Sequence, residues 1–219
     1  NAMILGFILL GLFFAVGAPL RLFAAFGALG VVAVVFASFA AEYRVRRWTA
    51  FLDPNADELD GAWQVTQGTY ALGTGGWFGT GIGGSREKWG SLPAAHTDFI
   101  FPVIGEELGM VGTFSVLALF AVLVFAILRL AKESPDRFVR LLAAGTGTWL
   151  IIQVVTNVGA ALKMLPITGV TLPMVSYGGS SLIPLLIAIG LLLGAARRHP
   201  ARLRQYREEV AQQTAGSIR

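Results

Sequence analysis

Cysteine is missing from all 219 residues, which excludes a disulfide framework, a thiolate nucleophile and any cysteine-built metal site. Charge is scarce too. Lys, Arg, Asp and Glu together make up 14% of the chain and hydrophobic residues 55%, whereas soluble domains carry roughly a quarter charged residues. With a mean hydropathy of +0.67, the chain falls outside the water-soluble class and reads as an integral membrane protein. The strict alternation of barrel strands is absent as well. An open sheet cannot satisfy its backbone groups in lipid, so the spans are expected to be helical.

Uncharged runs occupy 3–20, 22–41, 108–128, 141–162 and a stretch within 164–196. A helix of about 20 residues crosses roughly 30 Å of hydrocarbon. The expected fold class is all-α, a polytopic helical membrane protein with about five transmembrane helices and one large extracytoplasmic loop. Asn1 and Ala2, ahead of Met3, read as the remnant of a removed tag. No basic segment precedes the first run and no clean small-residue cleavage site follows it, so 3–20 reads as a span rather than a signal peptide.

The basic residues orient these spans. Arg197, Arg198, Arg202, Arg204 and Arg207 place the tail, 197–219, in the cytoplasm. The 129–140 connection, with Arg129, Lys132, Arg137 and Arg140, and the turn at Arg21 then fall on the same side. Two transmembrane helices over 3–41 lead into an outer loop at 42–98, and three more over 99–196 enclose a second outer loop at 163–178. The first outer loop nonetheless carries Arg44, Arg46, Arg47, Arg86 and Lys88. Long loops translocate largely regardless of charge, so the orientation stands and those cations need a purpose.

Two purposes fit EYRVRRW (42–48). Its arginines either reach back to lipid phosphates, or grip a pyrophosphate-linked lipid bidentately with Glu42 steadying one guanidinium. Further on, AWQVTQGTYAL (62–72) reads as a short interfacial helix anchored by Trp63 and Tyr70. The glycine cluster GTGGWFGTGIGG (73–84) lacks the GK[ST] of a phosphate loop and the strand–turn–helix setting of a dinucleotide site. It is left as a flexible surface segment or a backbone nest for an anionic headgroup.

Within the spans, Gln153, Thr156 and Asn157 share one helix face by their i, i+3, i+4 spacing, a pattern suited to hydrogen bonds between helices. Pro102 and Pro184 are expected to bend their helices. The stretch KMLPITGVTLPMVSYGGSS (163–181) reads as a loop turning back toward the membrane, and its Ser176 and Tyr177 would form one outer cleft with HTDF (96–99).

That HTDF belongs to AAHTDFIFPVIGEE (94–107), a polar mouth on the third span. From the residues alone, Asp98 is either a helix cap, a role Thr97 also fits, or a general base, since an ordinary carboxylate pKa near about 3.9 leaves it ionised at neutral pH. His96 either orients Asp98 or caps and packs against the helix start. Glu106 and Glu107 lie about 12 Å further along at roughly 1.5 Å per residue. That is too far to pair with Asp98, so they read as structural, gripping the loop or a cation, with substrate contact as the alternative.

Taken together, KWGSLPAAHTDFIFPVIGEELGMVG (88–112), EYRVRRW with FLDP (42–54) and LPITGVTLPMVSYGGSSL (165–182) resemble the signature stretches of the SEDS proteins, the FtsW and RodA peptidoglycan polymerases. The wording leans toward the FtsW, or division, type. The likeness covers the C-terminal half of such proteins, spans six to ten, and Ala94 stands where relatives usually carry Glu. The resemblance implies a peptidoglycan glycosyltransferase at the outer face of the bacterial cytoplasmic membrane. It would polymerise lipid II, the undecaprenyl-pyrophosphate-linked precursor, beside a class B penicillin-binding protein and other divisome or elongasome membrane proteins.

By motif match Asp98 is the catalytic carboxylate. Arg44, Arg46, Arg47, Lys88, His96, Ser176 and Tyr177 would bind substrate, and Glu106, Glu107, Gln153 and Asn157 would support the site. No covalently bound cofactor and no nucleic acid partner are expected. A divalent cation, Mg2+ or Mn2+, would help the leaving group, although the sequence holds no dedicated metal cage. The alternatives are a flippase for the lipid-linked precursor and a non-catalytic scaffold for the penicillin-binding protein. An ion or solute transporter is disfavoured because no ionisable residue sits at a span midplane.

Overall fold

The structure, a computed structural model, describes residues 2–39, 63–85, 97–167, 169–179 and 181–197. The regular elements among the described residues are all helices. In chain order the helices are α1 (Ala2–Val16), α2 (Leu20–Phe39), α3 (Trp63–Gly75), α4 (Ile100–Glu133), α5 (Arg137–Ala161) and α6 (Ser181–Arg197). Helices α4 and α5 are each long and apolar enough to cross a membrane, while Ile4–Val16, Leu20–Ala33 and Ser181–Arg197 are shorter apolar helices. Every apolar run expected to span falls on one of these, and 62–72 falls on α3.

The helices begin and end where local chemistry dictates. Helix α1 closes with Gly17 at φ +74°, its amide bonded to Phe14 O at 3.0 Å and that of Ala18 to Phe13 O at 2.9 Å. This is the Schellman pattern, and Pro19 prevents further propagation. Helix α5 starts at Asp136, whose carboxylate accepts from the Phe138 amide at 2.9 Å. It ends in a second Schellman closure, with Met164 N bonded to Gly159 O at 2.8 Å around Lys163 at φ +58°. Lys163 tolerates this conformation while its Nζ donates to Thr66 Oγ1 of α3 at 3.2 Å.

Helix α4 is not one rod. The expected bend at Pro102 does not arise there, because Pro102 is the third helical residue, where no intrahelical amide bond is required. The chain breaks instead at Gly109, at φ 68° and ψ −165°, a region open essentially to glycine alone. In a straight helix Glu106 O and Glu107 O would accept from the amides of Met110 and Val111. Here Thr80 N donates to Glu106 O at 2.8 Å and Gly81 N to Glu107 O at 3.1 Å, while Met110 N and Val111 N donate to Gly76 O at 2.9 Å and Trp77 O at 3.2 Å.

The exchange is reciprocal, since amides 80 and 81 are the ones that would have bonded carbonyls 76 and 77 had α3 continued. Two broken helices have swapped partners, so the four carbonyls and four amides that the breaks would have orphaned are all bonded. Glycine makes the approach possible: a Cβ on Gly75 would meet Gly105 backbone, and one on Gly79 or Gly109 would meet the other's segment. The glycine cluster is therefore neither a loose surface segment nor an open anion nest. The amides of Gly79, Thr80, Gly81 and Gly84 are already bonded within the chain.

Small residues also let α4, α5 and α6 pack closely, through Ile127, Ala131, Ala143, Ala144, Leu150, Leu185 and Leu192. Helix α1 lies on α5, with Gly11 against Thr148. Outward faces carry large exposed apolar side chains, among them Phe14, Leu20, Phe36, Leu119 and Phe125. Water would not tolerate such a surface, and lipid tails would.

Candidate active site

Buried Phe99 and Val103 pack with Val65 of α3, Ile100 and Ile167, pinning the mouth of α4 between α3 and the 162–179 segment. The ring of Phe99 lies close over Gly68, where an added Cβ would be 3.0 Å from it. Asp98 immediately precedes this anchor and is half-buried. The cap position of α4 is Phe99, without a side-chain cap bond. The expectation that Thr97 or Asp98 occupies the cap is corrected accordingly: the residues just before the helix form a turn that faces the second loop.

Three groups from elsewhere in the chain meet that turn. Gly169 has φ +67°, and a Cβ built on it would lie 3.4 Å from Asp98 Oδ2, so the carboxylate sits over the bare backbone of the loop. Asn157 of α5, only 2% exposed, donates from Nδ2 to Asp98 O and to Val170 O, both at 2.8 Å. Ser176, also buried, donates to Thr97 O at 2.5 Å and accepts from Leu172 N at 2.8 Å. Tyr177, its neighbour, is 83% exposed.

The other expected site residues separate from this cluster. Glu106 is buried at the helix exchange and accepts from the Ser85 hydroxyl at 2.5 Å. Glu107 follows it in the same joint. Gln153 is buried on α5. Thr156, expected to bond between helices, instead bonds its own helix at Ile152 O, 2.6 Å, and Gln153 O, 3.2 Å. Arg44, Arg46, Arg47, Arg86, Lys88 and His96 lie outside the described residues. No group of three or more His, Asp or Glu side chains among the described residues is placed to hold a metal ion.

Sequence reasoning missed Gly169, Ser85 and the exchange at Gly79 and Gly109. The exchange had a readable signal. Glycines four apart, 75 and 79 in GGWFG and 105 and 109 in GEELG, mark surfaces where two backbones approach. Ser85 and Gly169 carry no such signal.

The chain as a whole has counterparts among known proteins. A peptidoglycan glycosyltransferase FtsW, named as probable, from Methylococcus capsulatus is 49% identical over 188 residues, 84% of this chain and 47% of that protein. The stage V sporulation protein E of Bacillus subtilis is 42% identical over 184 residues, 84% of this chain and 50% of its own. The chain thus spans about half the length of the curated relatives it matches. A solved chain from a peptidoglycan synthase complex, described for its coordination of polymerization and crosslinking, superposes with a TM-score of 0.69 at 33% identity, over 90% of this chain and 55% of that one. The family described as cell cycle protein, that of FtsW, RodA and SpoVE, matches residues 1–200. With that match across nearly its whole length, an all-helical fold and apolar membrane helices, the chain belongs to the FtsW, RodA and SpoVE family of membrane proteins.

Proposed function

We propose that this chain is the catalytic half of a peptidoglycan glycosyltransferase that polymerises lipid II, with Asp98 as the general base. The observation that carries the reading is the position of Asp98, a half-buried carboxylate held over Gly169 at the mouth of α4. The names of the FtsW relatives support it. In this mechanism Asp98 takes the proton of the acceptor sugar hydroxyl as its oxygen bonds the anomeric carbon of the donor. The bond from that carbon to the lipid pyrophosphate breaks, and the electron pair leaves with the pyrophosphate. Arg44, Arg46, Arg47 and Lys88 stabilise the departing charge, with His96 and Tyr177 at the substrate. A divalent cation would supply further charge neutralisation there.

The site faces the outside of the bacterial cytoplasmic membrane in this reading, with the tail from Arg197 in the cytoplasm and a class B penicillin-binding protein as partner. That the superposed chain comes from a peptidoglycan synthase complex supports such a partnership. The test is lipid II polymerisation by the complete protein with that partner in detergent micelles. Micelles have no two sides, so glycan strands formed there come from bond formation. If the complex made none in micelles yet moved lipid II across vesicle membranes, the protein would be a flippase.

A further inference from the structure

The Asp98 cluster holds more polar machinery than a carboxylate over a glycine needs. Asn157 sits within an apolar membrane helix, nearly inaccessible, where a polar side chain is costly unless bonded. Both of its donor bonds run to carbonyls, at Asp98 and Val170, across 59 and 13 residues of chain. Its amide orientation is thereby fixed, because the flipped form would point an acceptor at two acceptors. Its Oδ1 is buried with no partner among the described residues, so those two donor bonds hold the side chain in place.

Ser176 acts on the adjacent peptide. A serine hydroxyl has one proton, and here it goes to Thr97 O, while the oxygen accepts from Leu172 N. The carbonyls of residues 97 and 98 are thus fixed from two different elements, α5 and the 169–176 loop. Peptide units are planar, so fixing the planes on both sides of the Asp98 Cα sets the direction of its Cα–Cβ bond. A local tilt of the 97–99 turn would swing the carboxylate, and this pair opposes that tilt.

We infer that Asn157 and Ser176 are positioning residues for the base: a two-point clamp on the backbone of Thr97 and Asp98 that aims the carboxylate at the acceptor hydroxyl. The inference rests on the proposed role of Asp98. Ser176, on this account, acts on Asp98 and not on substrate.

The experiment compares Ser176→Ala, Ser176→Thr, Asn157→Ala and Asp98→Asn in the complete protein with its penicillin-binding partner, using lipid II as substrate. Rates are normalised to the amount of assembled complex, so partial loss of folding lowers yield and not kcat. Both alanine variants are expected to lose on the order of 10²-fold in kcat, the cost of a misplaced catalytic group. Their KM should stay within about twofold of wild type, since ground-state binding is untouched. Ser176→Thr, which keeps the hydroxyl, should restore most of kcat. Unchanged kcat in both alanine variants would overturn the clamp. So would a raised KM at constant kcat in Ser176→Ala, which would make Ser176 a substrate contact. An active Asp98→Asn would overturn the role of Asp98 itself, which separates failure of the base from failure of the clamp.

Discussion

One residue that shapes the surroundings of Asp98 has no side chain. Gly169 takes a positive φ and leaves the Asp98 carboxylate an open floor. Gly169→Ala would add about 1 kcal/mol of backbone strain and set a methyl against Oδ2. The added Cβ itself would lie in ordinary van der Waals contact with Oδ2, 3.4 Å away, so any fall in polymerisation by the complete protein, expected at severalfold with lipid II binding retained, comes from the strained loop shifting under the carboxylate. An unchanged rate would mean that the carboxylate does not depend on the loop. Asn157 and Ser176 were singled out in the sequence as polar groups in or beside apolar helices, whereas Asp98 at a span mouth was open between helix cap and base until the family resemblance pointed to the base. Gly169 was not legible, since nothing in a glycine-containing loop tells which glycine has left-handed φ. The partners of Asn157 were equally hidden: its spacing with Gln153 pointed to a helix face, whereas its bonds go to a loop and a turn.

At the level of elements, hydropathy located the helices well and their starts less well. The third apolar run begins at Leu108, where charge ends, yet α4 begins at Ile100. Glu106 enters the helix, buried, because Ser85 meets its carboxylate. The bend fell at Gly109 instead of Pro102 for a reason that composition does not carry: a proline in the first turn disrupts nothing, while a glycine paired with a second glycine segment allows two backbones to exchange bonds. From Met110 to Glu133, α4 is about 36 Å long at roughly 1.5 Å per residue, enough to cross the hydrocarbon alone. The 100–108 piece, with Phe99 and Asp98 just ahead of it, is not needed for that crossing. Gly109→Ala would force a Cβ into the Gly79 and Trp77 backbone and cost about 1–3 kcal/mol in backbone strain alone. Its melting temperature in detergent should drop measurably below that of Gly6→Ala, a control whose Cβ meets nothing. Equal melting temperatures would show that the exchange contributes nothing to stability.

For the whole molecule, the family and the membrane class were readable from motif wording and hydropathy, while orientation rests on the distribution of Lys and Arg. Asp57→Cys and Gln212→Cys, introduced one at a time into a protein whose matched half has no cysteine of its own, should react oppositely with an impermeant thiol reagent on intact cells, Asp57→Cys labelling and Gln212→Cys not. Labelling of both from outside would invert the scheme for the tail. The described part of the molecule is a scaffold of packed apolar helices with the half-buried Asp98 carboxylate just ahead of α4, and the account stands on what that carboxylate does. The most direct measurement is lipid II polymerisation in micelles by the complete protein and its partner, wild type against Asp98→Asn. Asparagine keeps the shape and removes the basicity, so assembly and lipid II binding should persist while the rate falls by about 10² to 10⁴, the usual contribution of a positioned base. Polymerisation by Asp98→Asn within a few-fold of wild type, in a complex that assembles normally, would contradict the account.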